Sequence, residues 1–576
     1  MASFISEISN YAFVVIMAVY VATNIIVFFF KNPEKHKHFY MLQTLLAIAF
    51  HAVGFITLFV RAEDVRYFFF FAFQEIILFA LILVFRTLYR SVSRLMLNNV
   101  LMLLFVGFII LGRLAFENAV RQFVITIVAF AVSMIIPWIM KHTKLLKKMG
   151  YVYCTLGILA LGAVWLTGEI TNGSKLAFKI EGMSFQPSEF VKIVIVFFIA
   201  ALLANKKDPF RYVSSGLFSL VHVLILVLSR DLGGAGIYCM IYLFMLYIAN
   251  RNAITLLVGA VGGAGAFYLA LQIFDHVKIR VQNWLNPWTD MSNTGYQITQ
   301  SLFAIGTGGW EGMGLFQGNP KTIPYVNEDF VFSAIAEEFG VMFSVLLIML
   351  YLVTVLHMFR MSARVKEFFH KLILSGLAVS LGTQVILTVG GGTRFIPLTG
   401  VTLPLISMGG SSLCATLLMF GVVQGIYIKE FAYYEEDYEE DEFEEDEFDE
   451  EEEYEYEEDE YAVAEEEPED LDERSFVENT MPDEPVNTAD ESNDEFGLQE
   501  LEAYLEKNNV TLEGLTVESD EDLNTDISER TVSGEFVDED DYIEDYLEDA
   551  LKNIPPDYIS GGINRKEDDS DEKKDE

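Results

Sequence analysis

Cysteine occurs only three times in 576 residues, at Cys154, Cys239 and Cys414, each inside an apolar stretch and none at metal-ligand spacing. That scarcity excludes a disulfide framework and a thiolate metal centre, and the three read as small core residues. Basic residues are missing from one region: of 39 lysines and arginines only 8 lie at or beyond Glu430, against 63 of the 82 acidic residues. The formal charge of −43 therefore averages two unlike materials, a body of net +12 over 1–429 and a tail of net −55. No nucleic-acid partner is expected, because the excess positive charge belongs to loops between apolar runs. The first of those runs has neither a basic leading segment nor a small-residue cleavage site, so it reads as a retained span and not a signal peptide.

What is present in abundance is apolar sequence of bilayer length. Thirteen runs lie near 11–30, 40–60, 67–86, 96–113, 119–139, 150–167, 188–204, 214–229, 232–249, 253–273, 330–358, 369–389 and 403–427. An all-α polytopic membrane protein follows, with about 13 transmembrane helices. Basic residues fall in alternate loops, among them Lys35 and Lys37, Arg86 to Arg94, Lys141 to Lys148, Lys206 to Arg211, Arg251, and Arg360 to Lys371. The positive-inside pattern then places the N-terminus outside, the tail in the cytoplasm, and the long loop 274–328 on the extracytoplasmic side. The tail over 430–576 is too charged to offset its own ordering and is expected to be disordered. Two stretches, near 496–507 and 541–554, carry apolar residues at helical spacing and suit docking to a cytoplasmic partner, or form transient helices with none.

Polar residues that could carry chemistry cluster between 167 and 429. Asp329 opens a strongly apolar helix after a long polar interruption, and an ionisable group there needs a polar cavity or a partner. Helical spacing would put Asp329, Ser333, Ala336 and Gly340 on one face, with Glu337 beside it. At the start of the seventh run, Gln186-Pro187-Ser188-Glu189 precedes Lys192; Glu189 and Lys192 stand three apart, as an ion pair that orients the helix or as a hold on an anionic headgroup. Arg230-Asp231-Leu232-Gly233-Gly234 makes a tight turn between two runs, where Arg230 neutralises Asp231 or Asp231 shares a cleft with Asp329. In the long loop, Arg280, Trp284 and Trp288 precede Gly295-Tyr296-Gln297, and Gln297, Gln300 and Ser301 share a helical face that a sugar could use. Long loops with spaced amides and aromatics commonly carry function, although Trp284 and Trp288 equally suit interfacial anchors. Finally, 390–412 is too rich in Gly and Pro for an unbroken helix, and non-helical backbone at membrane depth is tolerated where it lines a cavity.

Taken in order, Gln186-Pro187-Ser188-Glu189, Asp231-Leu232-Gly233, Gly295-Tyr296-Gln297 with Gln300-Ser301, Asp329-Phe330 with Glu337-Glu338-Phe339-Gly340, and Leu403-Pro404-Leu405 with Ser407 and Gly409-Gly410-Ser411-Ser412 resemble the motifs of the SEDS family (shape, elongation, division and sporulation). The resemblance covers about 150–428. It implies a ten-helix core over about 101–429, with about three extra helices within 1–100. It further implies a peptidoglycan glycosyltransferase that polymerises lipid II at the outer face of the bacterial cell membrane, in division or elongation. Asp329 would match the family's essential aspartate and act as general base. Gln186, Ser188, Glu189, Lys192, Asp231, Arg280, Tyr296, Gln297, Gln300, Ser301, Glu337, Ser407 and Ser411 would bind substrate. A divalent cation (Mg or Mn), with no organic cofactor, would help neutralise the leaving diphosphate. A class B penicillin-binding protein would be the partner, with cytoplasmic division or elongation proteins engaging the tail. The chain departs from the pattern at Arg230, Gly234 and Asn327-Glu328, where the family commonly has proline, threonine and His-Thr, and it lacks the tryptophan upstream of Gln186. From the residues alone, a lipid-precursor flippase or transporter, and a non-catalytic scaffold acting through the tail, remain alternatives.

Overall fold

The computed structural model describes residues 2–430 apart from 30–32, 144, 172–173, 181–182, 206–207 and 292. The acidic tail beyond Glu430, with the short helices expected near 496–507 and 541–554, lies outside the described residues. Three helices come first: α1 (Ala2–Phe29), α2 (Pro33–Ala62) and α3 (Arg66–Leu88). Then follow α4 (Arg94–Leu114), α5 (Phe116–Ser133), α6 (Ile135–His142) and α7 (Gly150–Thr167). A small sheet separates these from α8 (Pro187–Leu203), α9 (Pro209–Leu228), α10 (Leu232–Asn250) and α11 (Ile254–Ile273). Two shorter helices, α12 (Asp275–Leu285) and α13 (Tyr296–Gly308), fold the long loop, and α14 (Val331–Arg364), α15 (Phe368–Gly392) and α16 (Gly410–Glu430) complete the bundle.

Among the described residues, twelve helical stretches are long and apolar enough to cross a membrane, α5 and α6 counting together as one. The expected run near 188–204 is α8, which at 17 residues falls just short of that length. With a rise of about 1.5 Å per residue it still extends roughly 25 Å. Its buried face runs almost without interruption from Val191 to Leu203, so its apolar character serves the protein interior as much as any lipid. The sequence reading contained no strands. The structure has three, β1 (Glu169–Thr171), β2 (Ser174–Ile180) and β3 (Met183–Phe185), in an antiparallel sheet that delivers the chain to Gln186.

The core centres on α4, buried on all sides, with α15 and α16 nearly as enclosed. At the other extreme, α11 has no buried residue. The first three helices pack against this core through aromatic rings: Phe13 meets Phe339 edge-on at 4.9 Å and Phe50 stacks on Phe343 at 5.8 Å. A buried polar relay accompanies them, the Tyr20 hydroxyl donating to Asn99 Oδ1 (3.1 Å) and Asn99 Nδ2 to Thr354 Oγ1 (3.0 Å), joining α1 to α4 and α14.

α14 is broken at Gly340, whose φ of 87° lies in the left-handed region. There the main chain of 309–314 crosses the helix, and it takes up the hydrogen-bonding groups that the break frees. Met313 N donates to Glu337 O (2.8 Å), Gly314 N to Glu338 O (2.9 Å), Val341 N to Gly309 O (2.9 Å) and Met342 N to Trp310 O (3.2 Å). A Cβ at Gly340 would stand 2.4 Å from Gly312 N, so only glycine allows the crossing.

Candidate active site

One cavity of about 1180 Å³ lies where five helices begin. Ser188 and Glu189 line it from the first turn of α8, Gly234 from α10, Tyr296 and Gln297 from α13, and Gly410 to Ser412 from α16, while Glu328 and Asp329 line it just ahead of α14. The rest of the wall is irregular backbone, 396–402 and 408–409, within the break between α15 and α16. Five of the seven non-glycine residues with positive φ, Arg230, Phe316, Tyr325, Arg394 and Leu405, sit in the segments that frame this space. Strained backbone of this kind persists where surrounding contacts enforce it.

A chain of short polar contacts fixes the helix starts relative to one another. Gln186 N donates to Ser411 Oγ (2.9 Å), Gln186 Nε2 to Ser188 Oγ (3.1 Å), and Ser188 Oγ to Asp231 Oδ2 (3.4 Å). Asp231 also caps α10 by accepting from Gly234 N (2.8 Å). Burial raises the Asp231 carboxyl above its usual range. Lys192 Nζ pairs with Glu189 Oε2 and with Gln384 Oε1, both at 2.6 Å, and Gln384 Nε2 donates onward to Thr402 O (3.0 Å) and Ser412 Oγ (3.2 Å). The Glu189–Lys192 pair is therefore structural in its contacts while both residues face the cavity.

The opposite wall is clamped through arginines. Arg280 Nη1 donates to Leu398 O (3.2 Å) and Thr399 O (3.1 Å), which ties α12 to the irregular segment after α15. Arg394 Nε donates to Trp284 O (2.8 Å) and Trp284 Nε1 to Arg394 O (3.2 Å), so Trp284 is a fastening of the loop. Burial pulls the Arg280 guanidinium below its ordinary value, against the support of Asp329 and Asp231.

Asp329 sits two residues ahead of α14 and not within it. Its Oδ1 is buried without a hydrogen-bond partner. Burial pushes the carboxyl up to about 7, the nearby Glu328 adds to the rise, and Arg280 opposes it. The backbone that carries it is pinned by Met408 N, which donates to Asn327 O (2.7 Å), and by the Ser407 hydroxyl, which donates to Glu328 O.

Ten of the fourteen residues singled out in the sequence line this cavity: Gln186, Ser188, Glu189, Lys192, Asp231, Arg280, Tyr296, Gln297, Asp329 and Ser411. Gln300, Ser301, Glu337 and Ser407 do not. Ser301 is buried against Ser333 Oγ (2.6 Å) and Gly392 O (2.7 Å), and Glu337 Oε1 accepts from Asn319 N (2.7 Å) behind the loop. Ser407 acts on the Asp329 segment through backbone. The face proposed for Asp329, Ser333, Ala336 and Gly340 does not form the cleft, because the helix starts only at Val331 and breaks at Gly340. Conversely, Arg121 and Gln122 in the second turn of α5 line the cavity, outside the 167–429 stretch to which the sequence assigns the chemistry. A charge so close to an apolar run was the available signal.

Among the described residues, the one group of three His, Asp or Glu ligands close enough to share a metal is Glu367, His370 and Glu430, at the start of α15 and the end of α16, the far ends of those helices from the cavity. The cavity itself is lined by the carboxylates of Glu189, Asp231, Glu328 and Asp329, the last with an unpartnered oxygen.

Residues 86–431, more than half of the chain, match the family model FtsW/RodA/SpoVE, described as cell cycle protein. The match starts in the last turn of α3. The peptidoglycan glycosyltransferase RodA of Mycobacterium tuberculosis is 32% identical over 335 residues, 55% of this chain and 71% of that protein. Stage V sporulation protein E of Bacillus subtilis is 31% identical over 288 residues, 49% of this chain and 78% of that protein. A solved structure described as the structural coordination of polymerization and crosslinking by a peptidoglycan synthase complex aligns with a TM-score of 0.51 and 27% identity, covering 59% of this chain and 99% of that one. With the cavity, the broken helix and the helix starts in the region so matched, the chain is a multi-pass membrane protein of the FtsW/RodA/SpoVE family.

Proposed function

We propose that this chain, a peptidoglycan glycosyltransferase, polymerises lipid II in the cavity around Asp329, with that carboxylate as general base. The observation that carries the reading is Asp329 itself: a carboxylate that faces a large cavity, keeps an oxygen unpartnered, and has its proton affinity raised by burial to about 7. A base poised near neutral pH is matched to removing a hydroxyl proton. In the reaction, the 4-hydroxyl of the acceptor's GlcNAc loses its proton to Asp329 as its oxygen bonds to the donor's MurNAc anomeric carbon. The bond from that carbon to the diphosphate oxygen breaks, and undecaprenyl diphosphate leaves with the electron pair.

The leaving diphosphate needs positive potential. Helix N-termini supply it from backbone N–H groups and the aligned peptide dipoles, and the first turns of four helices, α8, α10, α13 and α16, line this cavity. Arg280 and Lys192 add full charges. Asp329 with the substrate's diphosphate oxygens would hold a divalent cation, magnesium or manganese, since such ions are commonly bound by one or two carboxylates plus phosphates and water. When bound, it would neutralise developing charge on the leaving group.

The alternation of basic loops supports an outward-facing cavity, an N-terminus outside and a cytoplasmic tail. The family of the aligned synthase complex supports a transpeptidase partner, a class B penicillin-binding protein. The deciding experiment is polymerisation of lipid II by the purified chain, alone and with its co-purified transpeptidase, against Asp329→Asn. Wild type is expected to make polymer and the variant to lose about 10²-fold or more in rate. Lipid II binding without polymer in every preparation would favour transport instead.

A further inference from the structure

The helices that precede the family-matched region touch the backbone crossing that underlies the catalytic loop. Residues 309–342 form a closed excursion: the chain leaves the crossing at 309–314, passes Asp329, and returns to it along the first turns of α14 to 337–342. α1 contacts both strands of that crossing. On the outgoing strand, the Tyr11 hydroxyl donates to Glu311 Oε2 (3.1 Å), and Asn10 Nδ2 reaches Glu311 O (3.4 Å) and Gly312 O (3.5 Å). On the returning strand, Phe13 packs edge-on against Phe339 at 4.9 Å. One turn of α1 therefore holds the two strands together from outside.

Inside the excursion, the slack is taken up by fixed links. Arg113 of α4 pairs with Glu338 Oε1 (2.7 Å) and donates to Gly318 O (3.1 Å), and Asn319 N donates to Glu337 Oε1 (2.7 Å). The remaining span, 320–329, ends where Met408 and Ser407 seize the backbone of Asn327 and Glu328. A displacement at Glu311 is thus handed to Asp329 by two routes, along the loop and along the first turns of α14.

We propose that α1 is a brace for the catalytic loop, with Asn10 and Tyr11 as positioning residues that set where Asp329 stands through Glu311 and Gly312. The inference rests on Asp329 being the base, and it assigns to a helix outside the family-matched region a part in the reaction of the matched core. Neither residue touches the cavity, so their removal acts on the reaction only through the position of the loop.

The test compares the full-length chain in lipid nanodiscs with Tyr11→Phe, Asn10→Ala/Tyr11→Phe, Glu311→Gln and Glu311→Ala. Two readouts are taken: amide hydrogen exchange over 309–330, with α4 as an internal control, and lipid II polymerisation kinetics. In the double variant, exchange over 309–330 is expected to quicken while α4 is unchanged, and kcat to fall, by up to about 10²-fold, as the base is misplaced. Glu311→Gln keeps an acceptor for the Tyr11 hydroxyl and is expected to match wild type, whereas Glu311→Ala should behave as Tyr11→Phe. Unchanged exchange and kcat in the double variant overturn the brace, as does equal damage from Glu311→Gln and Glu311→Ala. Should wild type make no polymer, the polymerase reading falls on its own, and the exchange data still decide whether α1 restrains the loop.

Discussion

Asp329 is expected to leave two independent marks on pH behaviour. A base with a carboxyl pushed up to about 7 gives kcat/KM an ascending limb near that pH. Its effect on stability has the opposite sense: the folded chain keeps a proton that the unfolded chain, with a carboxyl near 3.8, releases. Stability is therefore lost as pH rises between those values. Asp329→Asn does not titrate, so it should be more stable than wild type at pH 8 by up to roughly 4 kcal/mol, and by less at pH 5, as thermal melts at both pH values would show. Arg280 opposes the rise at Asp329. Arg280→Gln should accordingly move the ascending limb to higher pH, read from the rate profile. Asp329 was legible in the sequence because an acid directly before an apolar run is a local signal. Ser301 and Glu337 were not, since their partners Gly392 and Asn319 meet them only through folding.

At the scale of elements, the crossing of 309–314 over α14 combines backbone hydrogen bonds, the buried Arg113–Glu338 ion pair and glycines on both sides, Gly312 and Gly340. Arg113→Met strands Glu338 in the interior, and breaking a buried pair in this way typically costs about 3–5 kcal/mol. Arg113→Met/Glu338→Leu should recover most of that loss in a melt, because it removes the uncompensated charge as well. Gly340→Ala is expected to destabilise by more than about 1 kcal/mol, since the new methyl collides with Gly312 N in a conformation that alanine avoids. The positions of nearly all the helices could be read from apolar runs, because a bilayer sets their length. The break in α14 could not: Glu337 to Met342 reads as continuous helix, and only the incoming strand supplies the alternative partners for its backbone. The strands over 169–185 were missed for a related reason, as they pair with one another in a segment too short to show alternation.

For the molecule as a whole, every cavity residue among the described residues lies between Arg121 and Cys414. Truncation after Glu430 should leave lipid II polymerisation in nanodiscs within about twofold of the full chain, since no described contact of the cavity is removed. The same truncation is expected to abolish capture of a basic cytoplasmic partner, which a pull-down would register, because that partner would read the net −55 of the tail. The convergence of five helix starts on one space has a consequence for heredity. Whatever pull they exert on an anion resides in peptide groups, which every residue but proline supplies alike, so a substitution that keeps the helix start keeps most of it. Side chains around the space, Arg230, Gly234 and Asn327 among them, can therefore change while the helix starts keep their backbone polarity.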